Sequence, residues 1–214
     1  ALFLAKGLEV VAMDVVPSAE TPLKRVVETA WPALTKLGLS PGASQSNLQF
    51  TTDMPAAVKT ADFVQENGPE RIDFKKKLFA QLDALLGPDV IIASSSSGIT
   101  MSEIQSECLS HPERCVIAHP FNPPHLIPLV EIVGGAKTSE AAIQTASQLY
   151  TALGKRTIRL QKEVMGHVAN RLQAALWREA VPLVASGVVS VADADAAVAW
   201  GPGLRWGIMG PSQL

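Results

Sequence analysis

The sequence predicts an α/β domain built on a doubly wound, mostly parallel sheet, followed by part of an all-helical domain. Three observations carry this expectation. Short apolar runs suited to buried strands alternate with helical stretches up to residue 160. From Gly166 onward the pattern is helical only. Apolar residues make up 47% of the 214, enough to bury a substantial core.

Residues 1–7 read as the last turns of a helix capped by Gly7. Residues 8–14 form an apolar run closed by Asp14 and suit a buried parallel strand. Residues 18–37 have helical spacing, with Ser18 as a cap and Gly38 as a stop. A second strand is expected at 48–52, then a short helix at 55–59 and a third strand at 61–65. Pro69 opens a helix that runs to Leu86 and stops at Gly87-Pro88. A fourth strand, 90–93, runs into the serine segment 94–97 and Gly98. Thr100 caps a short helix ending near Leu109, and strands follow at 114–118 and 129–133. A helix over 139–153 is stopped by Gly154, and the last strand is 156–160. Helices over 166–186 and 191–200 complete the chain. The boundary falls near Lys162, giving domains of residues 1–162 and 163–214. Both ends read as cut from a longer protein.

Composition excludes several roles. The formal charge is −2 with no basic run, which argues against nucleic acid as a partner. No apolar run approaches the ~20 residues needed to span a bilayer. Cys108 and Cys115 are the only cysteines, without a CxxC pair or a signal peptide, so the chain reads as reduced, intracellular and cytoplasmic. No two histidines have metal-ligand spacing near a cysteine, so no metal is expected.

In open α/β sheets, ligands lie outside the carboxyl ends of the strands. Asp14 stands at such an end, where an acid can accept hydrogen bonds from an adenosine ribose. The strand–GxGxxG–helix that should precede it is not in the sequence, and its place lies just before Ala1. Without those glycine amides on the pyrophosphate, a chain beginning at Ala1 is expected to bind NAD poorly.

His119 lies just past the fifth strand, and Glu131 follows twelve residues on, inside an apolar strand. A buried carboxylate is costly unless paired, and an imidazole is the obvious partner. The acid would fix the ring's tautomer and raise its basicity, leaving the other nitrogen to exchange a proton with substrate. The prolines of the segment 121–128 are expected to hold the intervening loop extended and stiff. Spacing alone leaves open a plainer arrangement, in which His119 ends a strand and Glu131 faces solvent from an edge strand. His111 reads as a surface turn. His125 lies near the site without a named partner, and His167 stands at a helix start without an assigned role.

His119-Pro-Phe-Asn122-Pro followed by Leu129-Val-Glu131 resembles the catalytic segment of the 3-hydroxyacyl-CoA dehydrogenase superfamily. The resemblance extends to Ala61-Asp-Phe-Val-Gln-Glu66, the serine segment, Pro112-Glu-Arg-Cys115, Lys162-Glu-Val, Gly166 and Asn170-Arg-Leu. It implies a Rossmann-like NAD-binding domain whose first strand and glycine loop are absent here, with NAD as cofactor. It implies His119 as general base, Glu131 as its orienting acid, and Ser97 and Asn170 as hydrogen-bond partners of the reacting oxygen. Asn122 would place cofactor and substrate, while Asp14, Glu70, Lys75 and Ser97 would contact NAD. Read without the resemblance, Glu70 and Lys75 are an ordinary helix start and a solvated face, and the serines a flexible turn. The resemblance also implies a homodimer built by the helical domain.

Two features separate branches of that superfamily. Acyl-CoA members carry a long, Lys-rich helical hairpin after the second strand, whereas residues 18–47 here are one helix and a short turn. The segment 201–211 carries an Arg205-Trp206 pair that resembles the L-gulonate 3-dehydrogenase (lambda-crystallin) and carnitine 3-dehydrogenase branches. The segments Trp31-Pro-Ala-Leu and Leu176-Trp-Arg-Glu179 lean toward the carnitine branch. Both substrates are small 3-hydroxy acids, so Arg205 is expected to bind a free carboxylate. Trp206 is a candidate to stack on a quaternary ammonium. A 3-hydroxybutyryl-CoA dehydrogenase and an inactive crystallin-like homologue are the alternatives.

Overall fold

The structure, a computed structural model, describes residues 1–212. Its first unit, residues 1–167, holds the seven strands found among the described residues: β1 (Val10–Met13), β2 (Leu48–Thr51), β3 (Phe63–Glu66), β4 (Ile91–Ser94), β5 (Cys115–Pro120), β6 (Leu129–Gly134) and β7 (Arg156–Leu160). Its helices are α1 (Leu2–Ala5), α2 (Glu20–Leu37), α3 (Met54–Val58), α4 (Ile72–Leu85), α5 (Met101–Ile104) and α6 (Glu140–Ala152). In the second unit, from Val168 on, the described residues form three helices: α7 (Ala169–Ala185), α8 (Val191–Trp200) and α9 (Pro202–Met209).

The doubly wound arrangement follows from the alternation of strand and helix. β1 and β2 pair in parallel as a two-stranded sheet, and β3 to β7 form a five-stranded sheet in chain order. All pairs are parallel except β5 with β6, which are joined by a loop rather than a crossover helix. Side chains alternate across a strand, so the sheet has two apolar faces. One carries Ile92, Cys115, Ile117, Val133 and Leu160, packed on Phe79 and Leu82 of α4 and Met101 and Ile104 of α5. The other carries Ile91, Ala93, Val116, Ala118, Val130 and Ile132 under Ala142, Ala146 and Tyr150 of α6.

His119 and Glu131 continue the first of these alternations. Cys115, Ile117 and His119 are two residues apart along β5, and Glu131 and Val133 are two apart along β6. The polar pair therefore lies on the α4/α5 side of the sheet, one step beyond the apolar cluster, at the carboxyl end of β5.

Several expected elements change at their edges. The helix expected from Pro69 starts at Ile72, because Arg71 is still extended at its N-cap. The helix after Thr100 is one α-turn with a full capping box to Glu103, passing into a 3₁₀ turn at Gln105–Glu107. β5 extends through His119 to Pro120, so the histidine is a strand residue rather than a loop residue. A further helix, α9, forms over Pro202–Met209, where none was expected, with Pro202 at its first turn where a missing N–H costs nothing. The loop 121–128 is not extended. It closes on itself through Leu126 and Ile127 N–H groups donating to the Pro123 carbonyl. Prolines 123 and 124 sit where a turn needs no N–H, and the Lys155 ammonium ties the loop down through the Pro124 carbonyl and, at 2.8 Å, the Ile127 carbonyl. Burial lowers the lysine's pKa.

No helix among the described residues is long and apolar enough to cross a membrane. Cys108 and Cys115 are buried free thiols with their sulfurs 4.0 Å apart.

Candidate active site

The site begins with strand register. β5 and β6 run antiparallel with His119 directly opposite Glu131. Directly opposed residues on such a pair bring side chains on one face into contact. The His119 Nδ1 lies 3.0 Å from Glu131 Oε2. Glu131 is fully buried and His119 is 7% exposed. An ionised carboxylate only accepts, so Nδ1 carries the ring proton in this bond and Nε2 is left as a basic lone pair.

The serine segment forms the neighbouring wall. It follows β4, and its backbone is organised by Glu70. One oxygen of that carboxylate accepts the Ser96 hydroxyl at 2.7 Å and the amides of Ser97 (3.0 Å), Gly98 (2.8 Å) and Ile99 (3.2 Å). Burial opposes ionisation of Glu70, but the Ser96 hydroxyl, the Gly98 and Ile99 amides and Lys75 together outweigh it and lower its pKa. Lys75 is 1% exposed, bonded to both oxygens of buried Glu66 at 2.8 and 2.9 Å and 3.6 Å from Glu70. Glu66 also accepts the Ser94 hydroxyl at 2.6 Å. A Glu66–Lys75–Glu70 chain therefore sets the shape of the loop that presents Ser97.

Glu70 and Lys75, expected to contact NAD, thus stand beneath the serine loop, with the lysine committed to Glu66. Asp14 is exposed just past β1, where one carboxylate oxygen accepts the Val16 amide at 2.9 Å. Asn122 is exposed two positions after the end of β5, before a cis bond to Pro123. Asn170, in the first turn of α7, and Arg205, exposed on α9, belong to the second unit. His111 is a surface residue 3.2 Å from Glu113, and His125 lines a small groove with Leu34, Leu153 and Lys155. Among the described residues no three His, Cys, Asp or Glu side chains are grouped to hold a metal ion.

Sequence reasoning missed two participants. Glu66 closes β3 inside a segment already singled out, but its burial depends on Lys75 arriving from α4. His167 was left without a role. The structure buries it at 3% exposure, with Nε2 2.9 Å from the Ser96 carbonyl and its ring 5.1 Å from that of His119. Its position directly after Gly166, in a turn preceding a helix, was the one available signal.

Strand ends at β3, β4 and β5 thus bring together a basic imidazole, a buried acid and the serine segment, which His167 links to the ring of His119. This donor and acceptor set suits abstraction of a hydroxyl proton beside a dinucleotide. The fit to a ligand has a structural mark, since the buried Nδ1 of His167 has no hydrogen-bond partner.

Comparison with known proteins identifies the family. The family model for the 3-hydroxyacyl-CoA dehydrogenase NAD binding domain matches residues 1–164, and that for the C-terminal domain of the same enzymes matches residues 166–214. An L-carnitine dehydrogenase of Streptomyces coelicolor is 53% identical over 209 residues, covering 98% of this chain and 65% of that protein. One from Pseudomonas putida is 53% identical over 207 residues, covering 97% and 64%. The chain therefore spans about 65% of the length of these relatives. Among solved structures, FHMPC 5-dehydrogenase, an NAD+ dependent dismutase, superposes with TM-score 0.88 at 40% identity, over 100% of this chain and 69% of the other. The 3-hydroxybutyryl-CoA dehydrogenase of Escherichia coli gives 0.81 at 27% identity, over 92% and 42%. With both of its units matched and a buried His–Glu pair at the carboxyl edge of the sheet, the chain belongs to the 3-hydroxyacyl-CoA dehydrogenase family.

Proposed function

We propose that this chain carries the catalytic base of an NAD-dependent dehydrogenase acting on small 3-hydroxy acids, with carnitine as the favoured substrate. The observation that carries the reading is the 3.0 Å contact between His119 and the buried Glu131 carboxylate. Similarity to L-carnitine dehydrogenases over nearly the whole chain supports the choice of substrate.

In this reading His119 Nε2 removes the hydroxyl proton of the substrate. Glu131 holds the ring in the tautomer that can accept it and balances the imidazolium that forms. NAD, when bound, supplies the hydride acceptor for the carbinol carbon. The Ser97 hydroxyl holds the reacting oxygen, and Asn122 places substrate and cofactor. Asp14 takes the ribose hydroxyls. Glu70 and Lys75 act on NAD through the serine loop they shape. Asn170 and Arg205 enter from the sequence alone, the first toward the reacting oxygen and the second toward the substrate carboxylate.

Exposed apolar residues of the second unit, including Trp177, Val181, Trp200 and Ile208, support a homodimer, which sedimentation of the complete protein tests.

The function is tested with the complete protein and NAD, following NADH formation with carnitine, other free 3-hydroxy acids and 3-hydroxybutyryl-CoA. Free acids are expected to turn over and the CoA thioester to fail. Preference for the thioester would overturn the substrate assignment. His119→Ala should lower kcat by roughly 10²–10⁴-fold while leaving NAD affinity nearly unchanged. Normal turnover in that variant would refute the base.

A further inference from the structure

We propose that His167 orients the cofactor, its Nδ1 accepting a hydrogen bond from the carboxamide N–H of bound nicotinamide; this rests on the dehydrogenase reading above. The inference begins with a proton count. Nε2 of His167 is 2.9 Å from the Ser96 carbonyl, which can only accept. Nε2 therefore carries the ring proton in that bond, and in the neutral ring Nδ1 is a bare acceptor. Nδ1 is buried without a hydrogen-bond partner. Such atoms are rare in folded proteins, and an unmet buried acceptor is costly to keep. The other one among the described residues, Arg114 Nε, belongs to a guanidinium already bonded to Asp83.

The backbone supports the same conclusion. His167 has φ +48°, the one non-glycine residue in the left-handed region among those described. It follows Gly166 at φ +78°. The turn is fastened by the Gly166 amide on the Ser97 carbonyl and the His167 amide on the Val164 carbonyl, both at 3.1 Å. Backbone held in a sparsely populated region persists where surrounding contacts over-determine it, as ligand-binding turns do. Here the outcome is a ring fixed on the serine loop through Nε2 and left without a partner at the buried Nδ1.

Location selects the ligand group. The His167 ring centroid is 5.1 Å from that of His119, with the planes inclined at 52°. Hydride transfer requires the carbinol carbon to touch the nicotinamide C4 at about 3–3.5 Å while its hydroxyl meets His119. The carboxamide is attached to the ring carbon beside C4, so it lies in the same small volume as both imidazoles. A 3-hydroxy acid has one donor on its reacting carbon, and His119 consumes it. The carboxamide N–H is the donor that remains for His167. By fixing the carboxamide, His167 fixes the rotation of the nicotinamide ring and with it the face presented to substrate.

The test separates anchoring from accepting. In the complete protein, His167→Gln keeps an N–H near the Nε2 position for the Ser96 carbonyl and removes the acceptor at Nδ1. His167→Asn keeps an acceptor near Nδ1 and gives up the Ser96 bond. Dissociation constants are measured by fluorescence for NADH and for its reduced 3-acetylpyridine analogue, whose ketone has no N–H. Melting temperatures are recorded beside them. His167→Gln should weaken NADH by about five- to tenfold and change the analogue by less than about twofold. His167→Asn should recover part of the preference for NADH over the analogue. Equal loss for both cofactors, or no loss for either, would overturn the inference while leaving the dehydrogenase reading intact. A wild-type protein that bound neither cofactor would overturn both.

Discussion

Replacing Glu131 by glutamine isolates what the buried acid contributes. The carboxylate is fully buried and 3.0 Å from His119 Nδ1. When His119 accepts the substrate proton, the pair becomes imidazolium and carboxylate. With charge centres about 4 Å apart and an effective dielectric of about 20, their attraction is about 4 kcal/mol. Glutamine is nearly isosteric but neutral, so that stabilisation is lost as the proton arrives. Its amide can also donate to Nδ1, which places the ring proton on Nε2 and blocks the base. Glu131→Gln is therefore expected to lower kcat by roughly 10³-fold. The KM for NAD should be unchanged, because the pair faces the alcohol. The assay is NADH formation at saturating NAD and substrate over a range of pH, with circular dichroism to establish folding. Turnover within threefold of wild type in a folded Glu131→Gln protein would refute the assignment of Glu131 as the orienting acid.

Other expectations follow from the same structure. Arg205→Met should raise KM for carnitine or other free hydroxy acids by tenfold or more, and an unchanged KM removes Arg205 from the site. Arg114 and Asp83 form a buried pair at 3.0 Å, each side chain 2% exposed. Arg114→Ala should cost roughly 3–5 kcal/mol in urea unfolding by stranding that carboxylate, and a loss below about 1 kcal/mol would show the pair to be unimportant. Burial of Asp83 opposes its ionisation, but the Ser110 and His111 amides and Arg114 prevail and lower its pKa. A carboxyl lowered in the folded state adds stability above its unfolded pKa near 3.9, and that stability is lost as pH falls through the folded value. Asp83→Asn should therefore flatten the fall in melting temperature below about pH 4, and an unaltered acid limb would contradict this.

Most of the element order was legible from local pattern. The alternation of apolar strands with helices through Leu160 and the helical run after Gly166 set the layers, because burial periodicity and capping residues act within a few positions. Gly38 and Gly154, read as stops, adopt positive φ at helix ends. The loop 121–128 was misread because its prolines were weighed without Lys155, which reaches it from 28 residues away. α9 was missed because Gly201, Pro202 and Gly203 resemble a turn until Pro202 is seen at a helix N-terminus.

The sequence by itself determined that a histidine would close one strand and an acid would lie inside the next, with an imidazole as the obvious partner if that carboxylate is buried. Only the tertiary structure decided what surrounds them. The antiparallel register sets His119 opposite Glu131. The Lys75 ammonium turns inward to Glu66, and His167 reaches a carbonyl 71 residues earlier in the chain to lie against the base. Periodicity and caps are written in neighbouring residues, whereas these contacts exist only after strands have paired and loops have closed over one edge of the sheet.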